Sequence, residues 1–335
     1  MILTPRGARD AASNLLRLAL YGHVADLRPM PAEPIGDGHG PAVCRYRPPE
    51  GVVPAGPPVL FVPPPGMPAR CYDLRRGCSL AEHVVRAGRL SYLLDHGPAE
   101  DRDRVRGFAG WVRDVLPAAV RAVSRDAGGQ PVQLVGWCLG GIVALLAAAA
   151  DPGLPIASVT AIAAPVDAHA APPAHRVRLP AGVGRYVLRP CKMLVNLDNA
   201  DLLEQIEAVD HFASLEIAYP GHAVRRIYRS LSRDGGLMGG DVEIGGRRVD
   251  LGRVGVPVLA IAGRGDAFAP ARAVRPLGRL LGGAPEVRFE IASGGHLGVL
   301  TGPEARTTTW RHLDRWLDEG TVRHGIRAQR TALTV

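Results

Sequence analysis

From Val59 onward, short apolar runs alternate with stretches of helical periodicity. VLFV is followed by SLAEHVVRAG, LSYLLD, a long segment from Val105 to Val123, VQLVGW and LGGIVALLAAAA, and then by VTAIAAP, VPVLAIAG and VRFEIAS. Unbroken apolar runs suit strands covered on both faces, and a helix between successive strands returns the chain to a parallel neighbour. The expected fold class is α/β, a mostly parallel sheet with helices on both faces. With 335 residues, 47% of them hydrophobic, the chain can bury one large core, and a second full domain is not expected. Residues 1–56 carry a short amphipathic stretch and Pro/Gly-rich pieces without sustained periodicity, and read as an N-terminal extension. Residues 57–320 form the main domain. Its pattern breaks at about 168–255 into Arg- and Gly-rich pieces, as an inserted cap would, and residues 321–335 read as a tail.

The formal charge of +8 raises the question of nucleic acid, but Lys192 is the single lysine and arginine carries the rest of the positive charge. The joint excess of Ala, Gly, Pro and Arg matches a GC-rich coding bias, and no basic aromatic module accompanies it, so nucleic acid is not an expected partner. Some of the arginines could instead hold the phosphates of a coenzyme A thioester. The five cysteines, Cys44, Cys71, Cys78, Cys138 and Cys191, have no C-x-x-C spacing and leave one over. Reduced thiols are therefore expected, with neither a disulfide framework nor a metal site. No basic head precedes an apolar run at the N-terminus, and no stretch is apolar for long enough to span a bilayer, so the expectation is a cytoplasmic protein without a transmembrane segment.

The most informative local pattern is VQLVGWCLGG. It puts Cys138 between Gly136 and Gly140, after an apolar strand and ahead of an alanine-rich helix. A nucleophile held on a strained strand-to-helix turn needs small residues two positions to either side, where side chains would meet backbone. The thiol would sit at a helix N-terminus, where amide dipoles favour negative charge. A buried, inert cysteine is the plainer alternative. Against it stands the order of residues further along the chain, because an acid and then a histidine are expected after such a turn. VLAIAGRGDAFAP ends a strand with Asp266 in a Gly/Pro-rich loop, and RFEIASGGHLGVLTG ends the next with His296 after a Ser-Gly-Gly turn. Taken alone, Asp266 would be a turn residue and His296 a packing group. Together they complete a Cys-His-Asp triad on an α/β-hydrolase fold. The oxyanion hole of such a triad would use the amide of Leu139 and one from VLFVPPPGMPARCYDL, where the prolines lack N–H groups and Gly66 fits better than Met67.

At these residues the chain resembles a polyhydroxyalkanoate synthase, nearest the short class III catalytic subunit. The supporting segments are VPPPGMPARCYDLRRGCSLAEHVVRAG, LSYLLDHG, GWCLGG, APVDA, LMGGDVEIGGRRVDL, VPVLAIAGRGDAFAP and GGHLGVLTG, between about Val59 and Leu317. The resemblance implies that Cys138 holds a hydroxyacyl group or growing chain delivered as a CoA or carrier thioester. It implies that His296 activates the thiol and the incoming hydroxyl, that Asp266 orients His296, and that no cofactor is needed. It further implies an accessory subunit or a homodimer, and association with polymer granules. Asp167, Tyr72 and Asp73 resemble positions that support the active-site loop, although a plain capping role fits Asp167 equally well. The chain departs from the family at His96 and in HFASLEIAYPGHAV, which lack a tryptophan, at Ala267, where a histidine is common, and at Gly235-Gly236, where an asparagine is usual. These departures bear on the substrate more than on the triad.

Cysteine suits transfer. Thiolate attack on an acyl thioester exchanges one thioester for another at nearly constant free energy, so the bound acyl group can still acylate an alcohol. Two alternatives remain: a thioesterase or esterase, in which water replaces the alcohol, and a non-catalytic protein that keeps the fold.

Overall fold

The computed structural model describes residues 4–36, 42–95, 107–167, 193–216 and 233–323, with Ala170 and Leu231. Strands β1 (Ala32–Ile35), β2 (Ala42–Tyr46), β3 (Val59–Val62), β4 (Ser91–Asp95), β5 (Val132–Trp137) and β6 (Ile156–Ile162) share one sheet with β9 (Val258–Gly263) and β10 (Val287–Ala292). The sheet order is β1-β2-β4-β3-β5-β6-β9-β10. The five pairings from β4 through β3, β5, β6 and β9 to β10 are parallel, and those of β2 with β1 and β4 are antiparallel. The remaining strands, β7 (Asp241–Ile244) and β8 (Arg247–Asp250), form a separate hairpin turned at Gly245-Gly246. Each of β3, β5, β6 and β9 is buried along its whole length, as unbroken apolar sequence between two helical layers requires.

The helices that matter for the site are α1 (Pro5–Tyr21), α2 (Leu80–Arg86), α3 (Leu116–Asp126), α4 (Leu139–Ala150), α5 (Ala200–Glu216) and α6 (Thr309–Arg323). Every residue of α4 but Ala150 is buried: the helix packs on β5 and β6, with β8 and the Leu251–Arg253 turn against its other side. Among the described residues, no helix is long and apolar enough to cross a membrane, and no disulfide joins Cys44, Cys71, Cys78 and Cys138.

The segment 1–56 is not an extension. It supplies β1 and β2 to the sheet, and their sequences AEPI and AVCRY lack an apolar run because β1 is the edge strand and β2, beside it, is only partly buried. Helix α1 also braces α5, the described helix of the cap region. Asn14 Nδ2 donates to the Leu197 carbonyl at 2.7 Å, and Arg17 lies 3.6 Å from Glu204. The Glu207 carboxylate accepts the amides of Val24 and Ala25 at 2.8 and 2.9 Å. From the domain body, Arg75, with a side chain only 2% exposed, reaches Asp201 at 2.6 Å and Glu204 at 2.9 Å, and Arg306 reaches Asp201 at 3.0 Å. At the other end, α6 continues to Arg323, so part of the expected tail is helix.

Candidate active site

Cys138 is the one residue between β5 and α4. Its backbone has φ 53° and ψ −122°, a region that side chains rarely occupy, and such conformations persist only where surrounding structure enforces them. The glycines make this possible. A Cβ on Gly136 would lie 2.5 Å from the Gly141 nitrogen, and one on Gly140 would lie 2.0 Å from the Val62 carbonyl oxygen. The turn is thus pressed against the end of β3. Beneath it, the buried Tyr72 hydroxyl lies 2.9 Å from the carbonyl of Val62 and 3.0 Å from that of Val135, tying β3 to β5. Burial raises the Tyr72 phenol well above its ordinary range, so it remains a neutral donor shared between the two carbonyls.

The loop after β9 carries Asp266 and the loop after β10 carries His296. Gly265 N donates to the Gly294 carbonyl at 3.0 Å and Arg264 N to that of Ala292 at 2.8 Å, which joins the two loops. His296 Nδ1 lies 2.8 Å from Asp266 Oδ2, while Asp266 Oδ1 accepts the amides of Phe268 at 2.8 Å and Ala269 at 2.7 Å. The His296 ring also hydrogen-bonds the Cys138 side chain. All three predicted residues are therefore brought together in one chain of contacts. Asp266 is only 4% exposed. Burial works against its charge, but His296 and the two amides outweigh that and lower its pKa.

Burial likewise disfavours charge on His296, yet the Cys138 sulfur and the Asp266 carboxylate prevail and raise its pKa to about 10. A histidine raised in this way contributes stability that is full below its unfolded pKa of about 6.5 and fades as pH rises through the folded value. In Cys138→Ala the first of the raising neighbours is gone, so the imidazole midpoint, followed by NMR, is expected to move down from about 10 toward the ordinary range. An unmoved midpoint would show that the sulfur does not hold the imidazolium.

Two positioning groups escaped the sequence reading. Trp137 Nε1 donates to the His296 carbonyl at 3.0 Å, with ring centroids 5.0 Å apart, and the Phe268 ring lies 4.7 Å from the imidazole on centroids. The variable position of the turn thus holds the base. Its only sequence signal was a large aromatic at a position that requires none.

In the early loop, Met67 N donates to the Pro64 carbonyl at 3.0 Å, and Gly66 has φ 80°. Pro65 followed by a positive-φ glycine is a type II turn, which engages the Met67 amide and leaves that of Gly66 outside the turn's own bond. Pro64 and Met67 face the same cavity, of 310 Å³, as Cys138, Leu139 and His296. Helix α5 closes it with Val209, Phe212 and Ala213, and its wall is otherwise the apolar Trp137, Phe268 and Leu297.

Other singled-out residues lie apart from this chain of contacts. Asp167 Oδ1 accepts the Ala170 amide at 3.1 Å, a turn cap, and Asp73 accepts the Met30 amide at 2.6 Å and pairs with Arg76. His96 falls outside the described residues.

No family model matches the chain. It is similar to the poly(3-hydroxyalkanoate) polymerase subunit PhaC of Allochromatium vinosum, with 25% identity over 306 residues, 82% of this chain and 84% of that protein. The subunit of the same name from Thiocystis violacea is 23% identical over 308 residues, with the same two shares. Among solved structures, the proline iminopeptidase of Mycobacterium smegmatis matches 88% of this chain and 100% of its own at a TM-score of 0.52 and 17% identity, a likeness of fold. In sequence the chain is similar to poly(3-hydroxyalkanoate) polymerase subunits, and in architecture it has the α/β-hydrolase fold.

Proposed function

We propose that the protein is a cysteine-dependent acyltransferase that moves a hydroxyacyl group from a CoA or carrier thioester, through acyl-Cys138, onto a hydroxyl acceptor. The observation that carries this reading is the contact chain from the Cys138 thiol through His296 to the buried Asp266. The sulfur attacks the thioester carbonyl, the amides of Leu139 and Gly66 receive the oxyanion, and the departing thiolate takes a proton from the imidazolium. His296 then accepts the proton of the acceptor hydroxyl as its oxygen attacks the acyl-Cys138 carbonyl, and the Cys138 thiolate leaves. The names of the relatives support polyester as the product.

Hydrolysis is a second reading. The His296 side chain is 22% exposed, so water can reach the base. Incubation with 3-hydroxybutyryl-CoA, with CoA release followed by a thiol reagent and products identified by mass spectrometry, separates the two. Oligomeric ester that is absent with Cys138→Ala is the expected result. Free hydroxy acid alone would make the enzyme a thioesterase, and turnover that survives the substitution would sink the mechanism.

A further inference from the structure

We propose that Phe212 sets the length of the acyl chain carried on Cys138, and that it does so on a roof clamped to the body of the protein. The inference rests on the acyl-transfer reading above and names the part of the site that would select the donor. Along α5, Asp201, Glu204 and Glu207 carry the anchoring contacts to Arg75, Arg306, Arg17 and the Val24 and Ala25 amides. These acidic residues recur every three positions in the first half of α5, while Val209, Phe212 and Ala213, spaced three and four apart in its second half, line the cavity.

At 1.5 Å per residue, Phe212 is only about 7.5 Å along the axis from the last anchor, Glu207. Such a short lever hardly bends. The clamp is also hard to release, because Arg75 is almost fully buried and two carboxylates depend on it. Phe212 itself is 3% exposed and shares its cavity with the thiol. An alkyl chain on Cys138 would fill the space between the thiol and α5, and its end would meet a ring whose helix cannot retreat. Truncating the ring opens room for further methylenes, and enlarging it removes room.

The test uses two chain-length series on the full protein. In the first, acyl-CoA donors of increasing length give kcat/KM. In the second, alkyl methanethiosulfonates of increasing length modify Cys138 directly, at rates read by mass spectrometry, without need of turnover. Phe212→Ala is expected to raise the long-to-short ratio about ten-fold or more in both series, and Phe212→Trp to lower it, since single methylenes in an apolar pocket are discriminated by such factors. Phe212→Leu, the mildest change, gives a smaller rise if the alanine variant does not fold. Arg75→Met is expected to blur the cut-off. Failure of the donor series alone, with no Cys138-dependent turnover, would count against acyl transfer while the disulfide series still measured the gauge. Length profiles unchanged by all three Phe212 variants would overturn the gauge, and a sharp wild-type cut-off in Arg75→Met would overturn the clamp.

Discussion

Asp266→Asn is expected to lower kcat/KM for acyl transfer by about ten-thousand-fold while leaving the protein folded, the order of loss seen when a triad's acid becomes its amide. The reason is orientation. Asp266 Oδ1 accepts the Phe268 and Ala269 amides at 2.8 and 2.7 Å, so in the variant the amide oxygen must occupy that place and the NH2 group must face His296 Nδ1. Nδ1 then has to accept a hydrogen bond, and the ring's proton moves to Nε2. A ring in that tautomer cannot take a proton from an acceptor hydroxyl, and its charged form would set N–H against N–H. The same substitution removes one of the groups that raise the His296 pKa, so the imidazolium beside the Cys138 sulfur is held less firmly. Two measurements report this loss: single-turnover acylation from an acyl-CoA, and the rate of iodoacetamide labelling of Cys138 at neutral pH. Both are expected to fall, with circular dichroism unchanged. Near-wild-type acylation would show that the thiol is activated without the imidazolium.

What the sequence made legible here is what backbone geometry enforces. Cys138, Asp266 and His296 each follow an apolar strand, and a parallel sheet brings the carboxyl ends of such strands to one edge, so chain order alone converts to proximity. Of the six strands that could be read from the sequence pattern, β3, β5, β6 and β9 are buried throughout, while β10, at the opposite edge of the sheet, is mostly half-buried. β1 and β2 were missed because AEPI and AVCRY are short, only partly buried strands whose apolar residues are interrupted by Glu33, Pro34 and Arg45. The bracing of α5 was illegible for a different reason. Asn14, Arg17, Arg75 and Arg306 look like ordinary polar surface until the fold places them around one helix. Trp137 is similar: its hydrogen bond goes to a backbone carbonyl 159 positions away, which no local pattern encodes. The Gly66 turn falls between these cases, since Pro-Gly specifies a type II geometry but not which cavity it faces.

Gly140→Ala should be a severely damaging single-methyl change. The added Cβ would lie 2.0 Å from the Val62 carbonyl oxygen and 2.9 Å from the Pro63 carbonyl carbon, both backbone atoms at the end of a buried strand. Neither can turn aside as a flexible side chain could. Either α4 lifts off β5, opening the core around Ile142 and Leu146, or the 62–66 segment is driven outward. Overpacking in a rigid site costs about 1–3 kcal/mol and more where backbone must move, so a loss above about 3 kcal/mol is expected by urea unfolding. Gly278→Ala is the matching control, because no atom lies within 4 Å of the place its Cβ would take and it sits in a short helix. That change is expected to be neutral or to stabilise by up to about 1 kcal/mol. If Gly140→Ala folds at all, its activity should fall further than its stability implies, since displacing Pro63 shifts the loop from which Pro64 and Met67 line the cavity that holds the thiol. A variant as stable and as active as the parent would mean that the turn does not depend on the close approach of β3.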